Sequence, residues 1–197
     1  AVGTNQGGLD TGSIANADYY IWQIARSDTG VVDVLFSASS TAPTMPANYD
    51  YKRLIGWFKR VSAAIVAFKT WQTAGGGLAF RWSTVTLDVN QANQPTITER
   101  LDAVKVPLNF ATSALVRVSM VDGASTFIAA VYSPDETITT LSTTAAPLAN
   151  ILRDSGGTTA VAELVVRTDS SGQIAAQANS TLDNYYVVTI GFDWERR

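Results

Sequence analysis

The side chains that could carry catalysis in this sequence are mainly carboxylates. The chain lacks the two residue types most often used for acid–base and nucleophilic chemistry near neutral pH. Among its 197 residues there is no histidine and no cysteine, whereas Asp and Glu together number 17. This composition excludes histidine-dependent triads, imidazole and thiolate metal ligands, and disulfides.

Four carboxylates fall in segments with a strand-like pattern: Asp33, Asp88, Glu163 and Asp193. Two carboxyl groups held about 5 to 10 Å apart in a cleft can hydrolyse a glycosidic bond. Each of these four, however, alternates outward from an apolar face or ends a strand, where a carboxylate commonly meets solvent. A structural role is the favoured interpretation, so the sequence predicts no catalytic residue and no enzymatic activity.

Two turn-like stretches have an oxygen-rich composition that could suit calcium: Asp28 and Thr29 with Asp33, and residues 169–171. Calcium takes about six to eight oxygen ligands. Neither stretch has the D-x-D-x-D-G spacing of an EF-hand loop, and hairpin turns account for both. The three glycines at 75–77 match neither a dinucleotide-binding motif nor a P-loop. No metal site and no cofactor are predicted.

The charge pattern argues against nucleic acid as a partner. The net charge is −3, and charged residues make up 16% of the chain. Its two basic pairs, at 52–53 and 59–60, are separated by the apolar segment 54–58 and fit strand ends better than a phosphate-binding patch. The longest apolar run, residues 61–68, is far shorter than the roughly 18 residues of a membrane span, so no membrane insertion is predicted. Residues 1–10 show neither the charged nor the apolar region of a signal peptide.

Aromatic side chains are the remaining candidates for ligand binding. Five of them lie in or beside the segments that follow the first predicted hairpin: Tyr49, Tyr51, Trp57, Trp71 and Trp82. A ring flanked by amide and hydroxyl groups suits the apolar face of a sugar, but the same rings suit a packed core or a subunit interface. Trp71 and Tyr49 occupy the least regular segments and are expected to be the most exposed. The predicted ligand-binding residues are Trp71, Tyr49 and Tyr51.

Short runs of branched and aromatic residues, separated by turn residues, predict β-strands along most of the chain. The first two, residues 19–24 and 31–36, flank a short polar stretch and predict a hairpin. Further strands are predicted at residues 53–59, 61–69, 78–89, 104–110, 114–121, 126–132, 160–168, 173–178 and 185–194.

Two later turns are also expected to join sequential strands as hairpins. Asp122-Gly123 is the strongest short hairpin signal in the chain, and it predicts antiparallel pairing of the strands before and after it. Residues 169–172 are expected to turn one strand back onto the next in the same way. In the last predicted strand, a single side is expected to carry Tyr186, Val188, Ile190, Phe192 and Trp194.

These elements place the sequence in the all-β class. About nine to twelve strands at short spacing, with hairpin turns and little helix, predict an antiparallel, jelly-roll-like β-sandwich. No Gly/Ser-rich or charged linker and no fixed-period repeat divides the chain. One domain over residues 1–197 is therefore expected.

Several short patterns in residues 7–60 occur in an order that is familiar from a known group of proteins. They are L-D-T-G-S at 9–13, an aromatic strand at 19–22, D-V-L-F-S at 33–37, A-P-T-x-P at 42–46 and Y-x-Y-K-R at 49–53. In these residues the chain resembles a module found near the C-terminus of many structural proteins of tailed bacteriophages and prophages, such as tail fibres. The resemblance does not extend beyond Phe68.

The resemblance implies a β-rich virion component that is frequently trimeric and serves attachment or surface display, and it supplies no catalytic residues. The expected function is a bacteriophage structural protein of the tail fibre, spike or head-decoration type, located in the virion. Its expected partners are further copies of itself as a homotrimer, other virion proteins and a host-surface glycan. Two alternatives stay open: a stand-alone carbohydrate-binding β-sandwich module, and a glycosidase that uses two carboxylates.

Overall fold

The structure, a computed structural model, describes residues 8–73, 75–123, 127–138, 141, 150–154 and 158–194. Within them the chain forms fourteen strands and no helix, and each ladder between strands is antiparallel. The predicted all-β antiparallel fold is confirmed, with more strands than the nine to twelve expected. The strands are β1 (Asp18–Ala25), β2 (Val32–Ser37), β3 (Tyr51–Val61), β4 (Ala64–Ile65), β5 (Phe68–Gln72), β6 (Leu78–Trp82), β7 (Leu87–Ala92), β8 (Arg100–Ala103), β9 (Ser113–Asp122), β10 (Phe127–Tyr132), β11 (Asn150–Asp154), β12 (Thr158–Arg167), β13 (Gln173–Ala178) and β14 (Asn184–Trp194).

The contacts of the chain group it into two compact units, residues 1–67 and residues 68–197. A grouping by contacts does not test whether the whole chain folds as one domain. The expectation of a single domain over residues 1–197 therefore stays a prediction.

The first unit contains one sheet with the strand order β2-β1-β3-β4. The predicted first hairpin is confirmed, because β1 and β2 pair in regular register from Tyr20↔Ser37 to Ala25↔Val32. Its loop closes through a 2.9 Å hydrogen bond from the Arg26 amide to the Val31 carbonyl. Gly30 takes a positive φ of 69°, a conformation that side chains with a Cβ rarely adopt.

Both faces of this sheet carry large apolar side chains. On one face, five of them are buried: Tyr20, Trp22, Ile24, Leu35 and Trp57. On the other face, the rings of Tyr19, Phe36 and Phe58 form a cluster with centroid separations of 5.2 to 5.5 Å. Such separations are typical of favourable aromatic pairs. The aromatic richness of the predicted hairpin thus reflects packing on both sides of one sheet.

Three predicted strands have other bounds in the structure. The segment 61–69 is divided, because Ser62 and Ala63 have φ values of 49° and 63° and turn β3 back onto β4. Two successive residues with positive φ are typical of a tight hairpin turn. Glycine and asparagine usually occupy these positions, so a Ser-Ala pair does not predict such a turn. The predicted strand 78–89 is two strands, β6 and β7. The predicted strand 104–110 is irregular, and β8 ends before it at Ala103.

The second unit contains two sheets that face each other as a β-sandwich. The larger has the strand order β12-β9-β14-β6-β5, with β7 also paired to β14, and the smaller has the order β11-β10-β13-β8. In the larger sheet, Val116, Val118 and Met120 of β9 point inward and are fully buried. Arg100 of β8 places its guanidinium 5.4 Å from the ring centroid of Tyr185 on β14, so a strand of each sheet contributes to one interior contact.

The two later hairpin predictions were wrong. β9 and β10, on either side of Asp122-Gly123, belong to different sheets. The same holds for β12 and β13, although the turn at 169–172 does form and is closed by a 3.2 Å hydrogen bond from the Gly172 amide to the Asp169 carbonyl. Turn residues determine that the chain reverses, but they do not determine which strand becomes the hydrogen-bonded neighbour. Here β9 is already paired on both edges, with β12 and with β14.

A bulge in β14 overturns the prediction that five residues of this strand share one side. Its ladder with β9 shifts register between Thr189 and Gly191. The side chains of Tyr185, Val187 and Thr189 point inward before the bulge, and Phe192 does so after it. Tyr186, Val188 and Ile190 are therefore on the opposite side from Phe192. A Cβ at Gly191 would lie 2.0 Å from the Phe80 carbonyl oxygen, so only glycine fits this close approach.

Candidate functional site

Trp71 is the predicted binding residue with the most developed surroundings. It lies on β5, an edge strand of the larger sheet, opposite Ala79 of β6. The residue is 51% exposed, whereas Ala79 is buried. The guanidinium of Arg81 lies over the indole ring, 5.4 Å from its centroid. This separation suits a cation–π interaction.

Arg81 is held in place by contacts on its other side. Its Nη1 donates to Asp193 Oδ1 at 2.8 Å and to the carbonyl oxygens of Phe80 at 2.9 Å and Phe192 at 3.2 Å. The guanidinium that covers part of Trp71 is therefore fixed by the backbone of β6 and β14. About half of the Trp71 side chain is exposed to solvent, and the other side of its ring is supported by Arg81. A ring that is exposed on one side and supported on the other can stack against a ligand.

The other two predicted binding residues lie in the first unit. Tyr51 begins β3 and is 63% exposed, whereas Tyr49 is half-buried. Tyr51, rather than Tyr49, thus resembles Trp71 in exposure. Between them, Asp50 accepts hydrogen bonds from the Ser27 amide at 2.9 Å and from the Ser27 hydroxyl. These hydrogen bonds lower the pKa of Asp50 and tie the segment before β3 to the first hairpin.

The remaining two aromatic candidates are core residues. Trp57 is 1% exposed and Trp82 is 8% exposed. The ring of Trp82 lies 6.4 Å from those of Phe68 and Phe192, within an aromatic cluster of the second unit. Trp57 and Trp82 therefore pack in the core, which is the role that the sequence analysis favoured for any one of these aromatic residues.

Glu163 and Asp193, two of the candidate carboxylates, are each paired with an arginine and lie far apart on the larger sheet. Glu163 is paired with Arg117 at 3.1 Å, and Asp193 with Arg81 at 2.8 Å. Through the ladders, Glu163 lies opposite Arg117 on β9, and Asp193 lies opposite Ser113, four residues further along the same strand. Strand geometry places these two carboxylates roughly 16 Å apart, beyond the roughly 10 Å limit for paired glycosidase carboxylates.

Asp88 has a structural role at the β14 bulge. Its Oδ2 accepts hydrogen bonds from the Thr189 amide at 2.6 Å and from the Thr189 hydroxyl at 2.5 Å. Lys105 Nζ lies 3.0 Å from its Oδ1. Thr189 falls where β14 changes partner, since Val188 pairs with β7 and Gly191 with β6. The carboxylate thus replaces the strand partner that the Thr189 amide lacks at this point.

Asp33, the remaining carboxylate, has a local hydrogen bond. Its Oδ1 accepts from the Val34 amide at 2.7 Å in the first unit. Asp33, Asp88, Glu163 and Asp193 are thus each engaged in local contacts, although Asp88, which was expected to meet solvent, has a side chain that is only 3% exposed.

The surface that sequence reasoning missed is the solvent-facing side of the larger sheet. We call it the outer face and define it by Val161, Val165, Leu87, Arg117 and Glu163. Its three aliphatic side chains are 61%, 59% and 52% exposed, respectively. Half-buried aliphatic residues lie between them on the same side, namely Leu115, Val121 and Val188. The alternation in β12 does place Val161 and Val165 on the outward side. Because the charged residues Glu163 and Arg167 share that side, the sequence pattern alone did not indicate an apolar surface.

Part of the solvent side of the smaller sheet is covered by the chain itself. Ala130, Tyr132 and Ala175 are buried there beneath Ile138 and Leu141. The hydroxyl of Tyr132 donates a 2.6 Å hydrogen bond to Glu99 Oε2. Burial and this carboxylate raise the pKa of Tyr132. The solvent side of the smaller sheet is thus shielded at β10 and β13, whereas Leu101 at its β8 edge is 47% exposed.

A polar cluster of Arg100, Asp102 and Tyr185 lies between the two sheets. No pattern in the sequence predicted it. Asp102 is 5% exposed and accepts a 2.8 Å hydrogen bond from Arg100 Nε. Arg100 in turn covers the ring of Tyr185, which is fully buried. Burial, reinforced by the negative charge of Asp102, raises the pKa of Tyr185 well above its ordinary value, and Arg100 opposes this only in part. The cluster links the sheets and has the character of a structural contact.

The described residues contain no group of three acidic side chains placed to hold a metal ion. The two calcium candidates are engaged otherwise. Asp28 forms a bidentate pair with Arg26, at 2.9 and 2.6 Å. Asp169 Oδ1 accepts hydrogen bonds from the amides of Ser171 and Gln173 at 2.9 and 2.7 Å. In the part of the chain that the structure describes, no helix is long and apolar enough to cross a membrane.

No protein-family model, no curated protein and no solved structure matches this chain. Its function is therefore inferred from its own residues, above all from the outer face and from Trp71.

Proposed function

We propose that this chain is a structural subunit of a bacteriophage particle, of the tail fibre, spike or head-decoration type. Its copies associate with one another and with other virion proteins, and its exposed aromatic side chains contact a host-surface glycan. The observation that carries the proposal is the outer face, where Val161, Val165 and Leu87 are each more than half exposed. The resemblance of residues 7–60 to phage structural modules supports the same conclusion.

The outer face has the composition of an association surface. Contiguous apolar area on a soluble protein commonly marks a contact site, and its burial contributes about 25 cal/mol per Å² removed from water. The Arg117–Glu163 pair lies among the aliphatic residues and is about half exposed on both sides. Paired charges within an apolar surface favour one orientation of the partner over others. The low overall charge, −3 over 197 residues, leaves little repulsion between identical copies.

The proposal is tested by the mass of the assembled protein and by its presence in particles. Sedimentation equilibrium over a range of concentrations is expected to show an oligomer, with a trimer as the predicted assembly. Leu87→Asp places a charge on the outer face and is expected to weaken association at least ~10-fold, since burying a leucine contributes about 1.5 to 3 kcal/mol. Ile97→Asp is the control, because Ile97 is 69% exposed and lies in a loop outside that face.

Antibodies against the chain, applied to purified phage particles from a lysate that contains it, are expected to label the particle surface. A monomer at every concentration, together with unlabelled particles, would contradict the proposal.

A second candidate function is a stand-alone carbohydrate-binding module, and the exposed, supported ring of Trp71 favours it. A glycan array probed with the purified protein is the direct measurement. If the chain is a carbohydrate-binding module, Trp71→Ala is expected to abolish glycan binding. Trp71→Phe is expected to retain part of the binding, because an aromatic ring remains. Tyr51→Ala provides the matched control at a second exposed ring. An array without any bound glycan rules this function out, and binding by a monomer that is absent from particles favours it over the first.

A further inference from the structure

β12 is the longest of the described strands that lie at the end of a sheet. It pairs with β9 along its whole length, from Thr158↔Asp122 to Arg167↔Ser113. No described strand pairs with its opposite edge. The other edge strands of the described sheets have between two and six residues, whereas β12 has ten; they are β2, β4, β5, β7, β8 and β11.

This edge lacks most of the devices that prevent strands from pairing with other chains. Proteins commonly blunt an edge with proline, a bulge, lysine or a very short strand. β12 contains no proline and no lysine, and its ladder with β9 has no register shift. Its outward side chains include Val161 and Val165, which are more than half exposed, and only two charged residues, Glu163 and Arg167. An unprotected edge of this length is suited to the addition of a further strand.

We infer that β12 pairs with β12 of a second copy of this chain, antiparallel and across a two-fold axis that passes beside Val165. The inference rests on the self-association stated in the proposed function and adds to it a second contact, at the edge of β12. Two such strands would join the larger sheets of two copies into one continuous sheet. The contact is additional to any three-fold contact of a trimer.

The charges of β12 select this register. In a two-fold antiparallel pair, side chains opposite each other share a face, so one residue of β12 must lie opposite its own copy. With Val165 on the axis, each Glu163 lies opposite Arg167 of the other copy, and two cross-strand ion pairs form. With Glu163 on the axis, two carboxylates would face each other, which is destabilising. Registers centred on Ala162 or Leu164 place Glu163 opposite a valine and form no directly opposed ion pair.

Both charged side chains are exposed enough to make this contact. Glu163 and Arg167 have side-chain exposures of 48% and 59%. Arg117 approaches Glu163 on the same face, and Asp135 lies 3.9 Å from Arg167, so neither exposed pair is tight enough to exclude a second partner. The edge therefore presents opposite charges two residues to either side of the proposed axis.

Cysteine scanning tests the register directly, because the natural chain contains no cysteine. Residues opposite each other in an antiparallel pair have Cα atoms about 4.5 to 5.5 Å apart, within the range of a disulfide. Val165→Cys is therefore expected to form a disulfide-linked dimer under mild oxidation. Val161→Cys is the matched control, since the two copies of residue 161 would be about 26 Å apart, and it is expected to remain unlinked.

Charge exchange supplies a second measurement that does not depend on a new thiol. Glu163→Lys places two cations opposite each other and is expected to weaken association several-fold. The double variant Glu163→Lys with Arg167→Glu restores opposite charges and is expected to recover most of it.

The outcomes separate this inference from the proposed function. Equal linking of both cysteine variants, or an oligomer that is insensitive to the charge changes, overturns the β12 contact and leaves self-association standing. A natural chain that is monomeric at all concentrations overturns both.

Discussion

Arg100 and Tyr185 meet in the interior of the second unit, with the guanidinium 5.4 Å from the phenol ring centroid. Arg100 belongs to the smaller sheet and Tyr185 to the larger, and the buried carboxylate of Asp102 pairs with the half-buried Arg100. A tyrosine in this position strongly prefers to stay protonated, because its anion would be both desolvated and next to a carboxylate. Folding and the protonation of Tyr185 are therefore linked.

Stability is expected to fall in alkaline solution because of this linkage. The pKa of Tyr185 is raised on folding, so above about pH 10 the unfolded chain loses a proton that the folded protein retains. Its contribution is complete below about pH 10 and is lost progressively above it, at roughly 1 kcal/mol per pH unit. The raised pKa of Tyr132 acts in the same direction. Urea unfolding followed from about pH 9 to about pH 12 measures the effect.

The matched variants for this pH dependence are Tyr185→Phe and Tyr51→Phe. Removing the buried hydroxyl is expected to make stability less dependent on pH above about pH 10. Tyr51→Phe is the control, because it removes the hydroxyl of a residue that is 63% exposed and takes no part in the Tyr185 contact. An equal slope in the Tyr185→Phe variant and the natural chain would show that Tyr185 is not the group responsible.

Gly191→Ala is expected to destabilise the protein by more than about 3 kcal/mol or to prevent folding. The added methyl group would lie 2.0 Å from the Phe80 carbonyl oxygen and 2.9 Å from the Arg81 Cα, both backbone atoms of β6. Gly75→Ala is the control, because a Cβ there meets nothing within 4 Å. Urea unfolding of both variants gives the comparison, and similar stabilities would contradict the close approach of β14 to β6.

Asp88→Ala is expected to cost about 2 to 4 kcal/mol of stability. The change leaves the amide and hydroxyl of the buried Thr189 without an acceptor and removes the partner of Lys105. Asp33→Ala serves as the comparison, since Asp33 is exposed and accepts one local hydrogen bond. The free energy of unfolding from urea titration measures both, and a catalytic rather than structural Asp88 would leave stability unchanged.

The two tryptophans Trp57 and Trp71 are expected to behave oppositely. Trp57→Ala removes a side chain that is 1% exposed and should cost about 3 to 5 kcal/mol. Trp71→Ala removes a half-exposed ring and should cost less than about 1 kcal/mol, mainly through the lost contact with Arg81. Thermal or urea unfolding distinguishes them. A large loss of stability in Trp71→Ala would identify that ring as structural and weaken its assignment as a binding platform.

The parts of the fold that were predictable are those encoded by neighbouring residues. The first hairpin follows from two aromatic and branched runs around Gly30, and the inward side of β12 follows from the alternation of Ala162, Leu164 and Val166 with charged residues. Composition alone excluded imidazole and thiol chemistry. The structural role of Asp88 and Asp193 was also expected, although the residues that hold them lie far away in the sequence and could not be named.

Tertiary structure decided which strands became neighbours and which side of each strand met solvent. Asp122-Gly123 and residues 169–172 are turn signals, yet the strands that follow them join the opposite sheet, and both edges of β9 are occupied by the distant strands β12 and β14. In β14 a single bulge exchanges the two sides, which moves Tyr185 inward and Tyr186 outward. The sequence by itself determined that this protein is built from strands and lacks imidazole and thiol groups. Local alternation put Val161 and Val165 on the outward side of β12, but whether another part of the chain would cover them depended on long-range packing, which no local pattern encodes.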